Sequence, residues 1–455
     1  MKKYDVIVVG SGSGMLIVDE ATDRGLKVAL VDKGPFGGTC LNTGCIPSKM
    51  LIYPADRIVE IQEAKKLGIE AQTRGIDFSF IMQRMRNSIQ ESQSQMRRAL
   101  SQAENLDFYE GEGHFVGEYT IEVNGDKIKG ENIVLASGSR PFIPPIKGLD
   151  SVDYLTNETL LQLEELPDSL IIIGGGYIGV EFGHFFAATG TKVTILEMMD
   201  SLVPVEEPEI YDLLKEQLRR RMDVYTNAQA EEVNDEGGMV KVAVRDRNTS
   251  EKREFTAQRI LVAVGRRSNA DLLKVENTGV EIDGRGFIRV NEYLETSKKN
   301  IFAIGDANGQ QMFTHVANRE ALVVVQNMFY SADLKMDYNA IPHAVYSHPQ
   351  IASVGLTEAQ ARKEYDMSVG RVRYFDVAKG EAMMEEEGFA KAIVEKASGR
   401  ILGFHIIGPY APVLIQEVVN AMTSGGQIDE INEGIHIHPA LSELIQTTVN
   451  SLEAS

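Results

Sequence analysis

Two stretches of this chain repeat one order of features, and together they narrow the folds open to it. Residues 4–9, Tyr-Asp-Val-Ile-Val-Val, form a short β-branched run that ends in Gly10-Ser-Gly12-Ser-Gly14-Met15. A helical stretch over 16–24 follows, then a second strand over 26–31 that ends at Asp32, twenty-two positions after Gly10. Strand, glycine turn, helix, strand and acid is the order of a dinucleotide-binding unit. Glycines let the backbone approach a pyrophosphate, the amino end of the helix stabilises its charge, and the acid accepts a hydrogen bond from a ribose hydroxyl. Met15 stands where the third glycine usually lets helix pack tightly on strand. The same order returns from Ser169, where Leu-Ile-Ile-Ile runs into Gly174-Gly175-Gly176-Tyr177-Ile178-Gly179, a helix over 180–189, a strand over 192–196 and Glu197. One such turn is a weak signal. Two in one chain, each with its acid about twenty residues on, predict two dinucleotides.

The remaining stretches fill in around these units. Phe80, Met82, Met85, Ile89 and Met96 have helical spacing and predict an apolar helix face over 78–102. Strands are expected over 115–123 and 132–136. The second leads into the glycine turn Ser137-Gly138-Ser139-Arg140-Pro141, which closes the first unit. A strand over 259–264 runs into Gly265-Arg266-Arg267, and another over 300–304 places Asp306 at a strand end. From about Ile341 the pattern changes to strands over 343–346, 371–375, 390–395 and 401–407 with helices over 358–364 and 413–424, which predicts a separate α+β domain with an antiparallel sheet.

The only two cysteines, Cys40 and Cys45, lie five positions apart in Gly-Gly-Thr-Cys-Leu-Asn-Thr-Gly-Cys-Ile-Pro-Ser-Lys. In a regular helix their Cα atoms would sit roughly 8.6 Å apart, beyond the ~7 Å that a disulfide can bridge. A bond between them therefore needs an irregular backbone, and Gly44 followed by Pro47 supplies a bend and then a helix start. A redox-active pair is one reading, and two cysteines packed as small hydrophobes is the other. Near the end, Ile435-His436-Ile437-His438-Pro439-Ala440-Leu441-Ser442-Glu443 puts a carboxylate five residues after an imidazole, with Pro439 in the first turn of a helix. Glu443 could orient His438 for proton transfer or simply cap the helix.

Length and composition exclude several classes. At 455 residues the chain has room for about three domains. A formal charge of -20, with Arg219–Arg221 the longest basic run, argues against nucleic acid and anionic membranes as partners. No run approaches the ~20 apolar residues of a membrane span, and the apolar stretch after Lys2 and Lys3 is too short for a signal peptide. Two close cysteines point to a reducing compartment, so a cytoplasmic location is expected, and no metal site is expected.

With these residues in view the chain resembles the FAD-dependent pyridine-nucleotide disulfide oxidoreductases, a family that includes dihydrolipoamide dehydrogenase, glutathione reductase, mycothione reductase and mercuric reductase. The resemblance spans nearly the whole chain. It implies an α/β fold with two Rossmann-like dinucleotide-binding domains, for FAD and NAD, and a carboxy-terminal α+β dimerisation domain. The implied boundaries are 1–145 and 271–338 for the FAD-binding parts, 146–270 for the NAD-binding domain and 339–455 for the interface domain of a homodimer whose active site is shared. By the same resemblance Cys45 exchanges electrons with FAD and Cys40 attacks the substrate disulfide. Lys49 lies beside the flavin and pairs with Glu181, and His438 with Glu443 moves the thiol proton from the other subunit. The resemblance assigns FAD to Gly10, Gly12, Gly14, Asp32, Lys33, Gly38, Thr39, Lys49, Ser137, Gly138, Ser139 and Asp306. It assigns the nicotinamide dinucleotide to Gly174, Gly176, Tyr177, Gly179, Glu197 and Gly265, with Tyr177 either a lid over the flavin or an ordinary packed residue.

Within the family, Met198 and Met199 follow Glu197 where NADPH-dependent glutathione reductases carry arginine, which favours NAD. Cys40-Leu-Asn-Thr-Gly-Cys45-Ile-Pro-Ser-Lys49 and the His-Pro-x-Leu-Ser-Glu ending look most like dihydrolipoamide dehydrogenase, acting on a lipoyl group carried by another protein. Gly-Ser-Gly-Ser-Gly-Met15, Lys49-Met-Leu-Ile-Tyr53 and His315-Val-Ala-Asn318 resemble mycothione reductase, an NAD(P)H-dependent reductase of a small disulfide. A third possibility is an FAD-binding interaction protein with structural cysteines. The final residues, Ser-Leu-Glu-Ala-Ser, add no further cysteine.

Overall fold

A computed structural model describes residues 1–453, so that Ala454 and Ser455 of the expected tail lie outside the described residues. The chain divides into two compact units, one of Met1–Ser48, Gln83–Phe142 and Gly265–Asp337, the other of Lys49–Met82, Ile143–Val264 and the chain from Tyr338 onward. Among the described residues no helix is long and apolar enough to cross a membrane.

The first unit is built on a seven-stranded sheet. Lys2–Val9 lies between Val28–Asp32 and Asp126–Leu135, parallel to both, and Leu106–Glu110 and Ile301–Ala303 extend the parallel set. Val6, Ile7 and Val8 are fully buried, as strands covered on both faces require. The helix Met15–Asp23 packs beside Thr314–Tyr330. A short ribbon pairs Ser139–Pro141 with Arg266–Ser268, so the predicted glycine turn at 137–141 is partly a strand. The predicted strand 115–123 is instead a hairpin of His114–Gly117 and Thr120–Val123, broken where Tyr119 takes φ +55°.

In the second unit a four-stranded parallel sheet is ordered Asp223–Tyr225, Lys192–Leu196, Ser169–Ile173 and Arg259–Val262, with the helix Tyr177–Thr189 packed on it. A three-stranded antiparallel sheet, Ala228–Glu236, Met239–Asp246 and Lys252–Ala257, follows. The carboxy-terminal sheet has five antiparallel strands, one more than predicted, because Ile351–Gly355 enters it between Pro342–Val345 and Ile401–Ile407. The helices Ala411–Ser424 and Glu443–Asn450 cover it. Pro439 therefore precedes its helix rather than opening it. Along Phe78–Gln102 the residues Phe78, Met82, Met85 and Ile89 are buried, but Phe80 is 64% exposed. Two residues from Phe78 and from Met82, it projects on the opposite side of the helix.

Candidate active site

The first glycine turn achieves its close packing one residue earlier than the usual pattern. A Cβ on Gly14 would lie 2.5 Å from the Gly10 carbonyl oxygen and 2.8 Å from Val8, so Gly14 does what the glycine replaced by Met15 would do. In the second turn that role stays with Gly179, whose added Cβ would lie 2.0 Å from the Gly174 oxygen. Asp32 closes the first turn by accepting from the Ser11 N–H at 2.6 Å and the Gly34 N–H at 2.7 Å. Gly38 comes so near Gly12 that a Cβ on it would meet the Gly12 Cα at 2.9 Å, which brings the cysteine segment against the turn. Across the sheet, the Ser139 hydroxyl donates to Asp306 at 2.5 Å and the Arg266 Nε donates to the Ser139 oxygen at 2.7 Å. Lys33 points elsewhere, to Glu112 at 3.9 Å.

Cys40 lies in the helix Gly38–Asn42 and Cys45 opens the helix Cys45–Glu63. The break falls at Thr43 and Gly44, the irregularity a bridging pair needs, and Asn42 secures it by donating to the Phe36 carbonyl at 2.7 Å and the Gly38 carbonyl at 2.8 Å. Both cysteines are free thiols in this structure. The hydrogen bond with Cys45 and then burial push the Cys40 thiol well above its ordinary pKa. The Thr314 hydroxyl, at the start of Thr314–Tyr330, lies 3.5 Å from the Cys45 sulfur. Thr314 arrives from 269 positions away and had no signal in the sequence.

Lys49 is four residues along the helix from Cys45 and binds both oxygens of Glu181, at 2.8 and 3.0 Å. The Tyr346 ring lies beneath its ammonium at 4.4 Å, and the Tyr346 N–H donates to Glu181 at 3.0 Å. The same two helices are tied a second time, by Asp56 and His184 at 2.8 Å. Asp56 is seven residues from Lys49 and His184 three from Glu181, so each helix presents both partners on one face. That spacing was legible in the sequence once the first pair was recognised.

His184 is fully buried. Its Nε2–H donates to Asp56, while Nδ1 accepts from Arg221 at 2.9 Å, an arrangement that holds the neutral ring. Burial first, with the Arg221 charge opposing protonation as well, lowers its pKa to about 4. The unfolded chain binds a proton near the ordinary value of about 6.5 and the folded chain does not. Stability is therefore complete above that value and falls as pH drops towards 4, by roughly 3 kcal/mol. Urea unfolding midpoints across this range should fall with acid in the parent and fall less in His184→Gln. An equal slope in both would contradict the assignment.

Glu197 ends its strand buried. One carboxylate oxygen accepts from the Gly175 N–H at 2.5 Å and the other from the Met199 N–H at 2.7 Å, leaving a second lone pair on each. Gly176 has open space where a side chain would stand. Tyr177, half-buried, stacks on His343 with ring centroids 6.0 Å apart, and His343 Nε2 meets the buried Glu206 at 2.9 Å. Neither His343 nor Glu206 was singled out from the sequence.

His438 Nδ1 lies 2.8 Å from Glu443, whose other oxygen accepts from the Ala440 N–H at 2.9 Å. Those two hydrogen bonds, the backbone one first, hold the Glu443 carboxyl below its usual range, so it is ionised and can only accept. Nδ1 then carries the proton and Nε2 is the free base, on a side chain 71% exposed. Exposed Ile435 and Ile437 flank it. The dyad's two hydrogen bonds stay within residues 438–443.

Residues 4–321 match the pyridine nucleotide-disulphide oxidoreductase family, and residues 341–449 match that family's dimerisation domain. The chain belongs to this family. Among relatives of this pyridine nucleotide-disulphide oxidoreductase, mycothione reductase of Mycobacterium tuberculosis is 37% identical over 99% of this chain and 100% of that one. Dihydrolipoyl dehydrogenase of Geobacillus stearothermophilus is 36% identical over 97% and 94%. Among solved structures, the Cu(II) complex of the HOCl-induced flavoprotein disulfide reductase RclA from Escherichia coli superposes with a TM-score of 0.88 at 30% identity, covering 99% of each chain. As a member of the family the chain is an FAD- and nicotinamide-dinucleotide-dependent oxidoreductase with a dimerisation domain. The first unit fits FAD, since the Ser137 hydroxyl is buried beside the glycine turn with no hydrogen-bond partner and a bound group could supply one. No cluster of His, Cys, Asp and Glu suited to a metal occurs among the described residues.

Proposed function

We propose that this oxidoreductase passes electrons between a dithiol and NAD through Cys40 and Cys45, with dihydrolipoyl groups on another protein as its preferred substrate. The observation that carries the dinucleotide choice is Glu197, a buried carboxylate fixed by two N–H groups at the end of its strand, able to accept from a ribose 2′-hydroxyl and repel a 2′-phosphate. Bound FAD would supply the two-electron relay between nicotinamide and the sulfur pair.

The chain's own groups take the remaining roles. Cys40 is the sulfur that exchanges with substrate, and Cys45, which opens the helix that carries Lys49, is the sulfur nearer the flavin. Oxidation of a substrate dithiol forms one disulfide in the product, opens the Cys40–Cys45 disulfide to two thiols, and releases one proton only when the pair is reoxidised by NAD. Exchange needs a thiolate, and His438 Nε2, in the partner subunit's site, takes the thiol proton while Glu443 stabilises the imidazolium. Lys49 is held at its station by Glu181, and Tyr177 is the lid that yields when nicotinamide enters. We also assign the domain boundaries inferred from the sequence and a cytoplasmic location to this reading.

A second reading, reduction of a low-molecular-weight disulfide by NAD(P)H, is favoured by the Ser13 hydroxyl donating to Asn318 at 2.7 Å, which joins two of the motifs shared with mycothione reductase. Steady-state turnover of dihydrolipoamide with NAD, set beside mycothiol and glutathione disulfides with NADH or NADPH, separates the two. Dihydrolipoamide should give the highest kcat/KM. Negligible turnover with it, alongside rapid reduction of a small disulfide, would replace the first reading by the second.

A further inference from the structure

One peptide group in the second unit stands between two opposite charges. The N–H of the Met198–Met199 peptide donates to Glu197 at 2.7 Å, and its carbonyl accepts from Arg247 Nη1 at 3.0 Å. The carboxylate and the guanidinium are therefore within about 8 Å of each other, from ordinary peptide and hydrogen-bond dimensions. Arg247 is exposed, lies on the turn after Met239–Asp246, and makes no ion pair among the described residues, so most of its donors remain available. The turn is well fixed. Asp246 accepts from the Asn248 and Thr249 N–H groups, both at 2.9 Å, the Arg247 N–H donates to Asn227 O at 2.8 Å, and the Asn227 N–H donates to Met199 O at 2.7 Å. Met198 and Met199, 48% and 43% exposed, offer an apolar surface beside the pair.

Resting on the reading of Glu197 as the ribose acid, we propose that Arg247 is a specificity-determining residue set against Glu197, so that the site retains an anchor for a 2′-phosphorylated adenine dinucleotide. Glu197 is in place to accept a 2′-hydroxyl and to repel a phosphate, whereas a planar guanidinium one peptide away matches phosphate oxygens in charge and geometry. The arginine absent from the residues that follow Glu197 is thus supplied by a turn 50 positions later, as the hydrogen bond to Met198 records. The chain discriminates by the balance of the two charges, and removing either tips it in a known direction.

The test uses the FAD-loaded protein and two probes without nicotinamide, ADP-ribose and 2′-phospho-ADP-ribose, titrated by calorimetry at low and high salt. The parent should bind ADP-ribose more tightly. Arg247→Gln should widen that preference about fivefold to tenfold, the size of one exposed charge-assisted contact, and Arg247→Lys should widen it less. Glu197→Gln should narrow or reverse it, and high salt should erase the Arg247 contribution. Equal effects of Arg247→Gln on both probes would overturn the proposal. If neither probe binds the parent, the dinucleotide reading of Glu197 fails instead, and the result is independent of which dithiol the enzyme oxidises.

Discussion

Replacing Cys45 with serine should abolish NAD-linked oxidation of dihydrolipoamide, with a loss of at least about 10³. A serine cannot form the disulfide that stores two electrons, so the effect is on kcat and not on substrate affinity. The helix break at Thr43 and Gly44 and the contact with Thr314 are backbone and packing features that a serine leaves in place, so the protein should keep its fold and its FAD. Cys40→Ser should be equally inactive with dithiols but for another reason, since it removes the sulfur proposed to exchange with substrate. Electron transfer from NADH to a small artificial acceptor, which needs no sulfur exchange, should survive both changes. Turnover of dihydrolipoamide within tenfold of the parent in either variant would mean that the pair is structural.

The second large effect belongs to the dyad. His438→Gln should lower dithiol turnover by about 10²–10⁴, the usual contribution of a positioned acid or base. Glu443→Gln should cost less, because the imidazole survives but loses the ionised acceptor that fixes its Nδ1–H. Neither change should alter NADH reduction of the artificial acceptor by more than a few-fold. A loss below tenfold would remove His438 from the mechanism. His438, Ile435 and Ile437 are exposed within residues 341–449, the stretch that matches the family's dimerisation domain.

Much of this site could be read from residue order because its parts are local. The two glycine turns, their strands and their acids each occupy about thirty residues, so pattern and geometry coincide, and strands such as Lys192–Leu196 and Ile401–Ile407 appear with the expected bounds. Met15 misled only in register, since Gly14 makes the close approach to the strand. Cys40 and Cys45 were conspicuous as the only cysteines, and the backbone break between them follows from Gly44. What stayed hidden depends on distant chain. Thr314, Tyr346, His343 and Arg247 reach their partners through sheet and helix packing over tens to hundreds of residues, and none sits in a motif of its own. The strand Ile351–Gly355 was missed because its first four residues are all buried and lack the alternation that marks a strand with one wet face. The 115–123 hairpin was read as one strand because its turn residue Tyr119 carries no turn signature.

The central claim is that nicotinamide and substrate communicate through Cys40 and Cys45, and it can be tested without knowing the substrate. Oxidised, FAD-loaded protein would be treated anaerobically with NADH, quenched with an alkylating reagent under denaturing conditions, and analysed by peptide mass spectrometry. NADH delivers a hydride, one proton is taken from water, and a disulfide becomes two thiols. Before NADH, neither cysteine should be alkylated. Afterwards both should be, in equal amounts and to near completion. Two thiols alkylated to the same extent with and without NADH, in protein whose flavin is reduced by that NADH, would contradict the account.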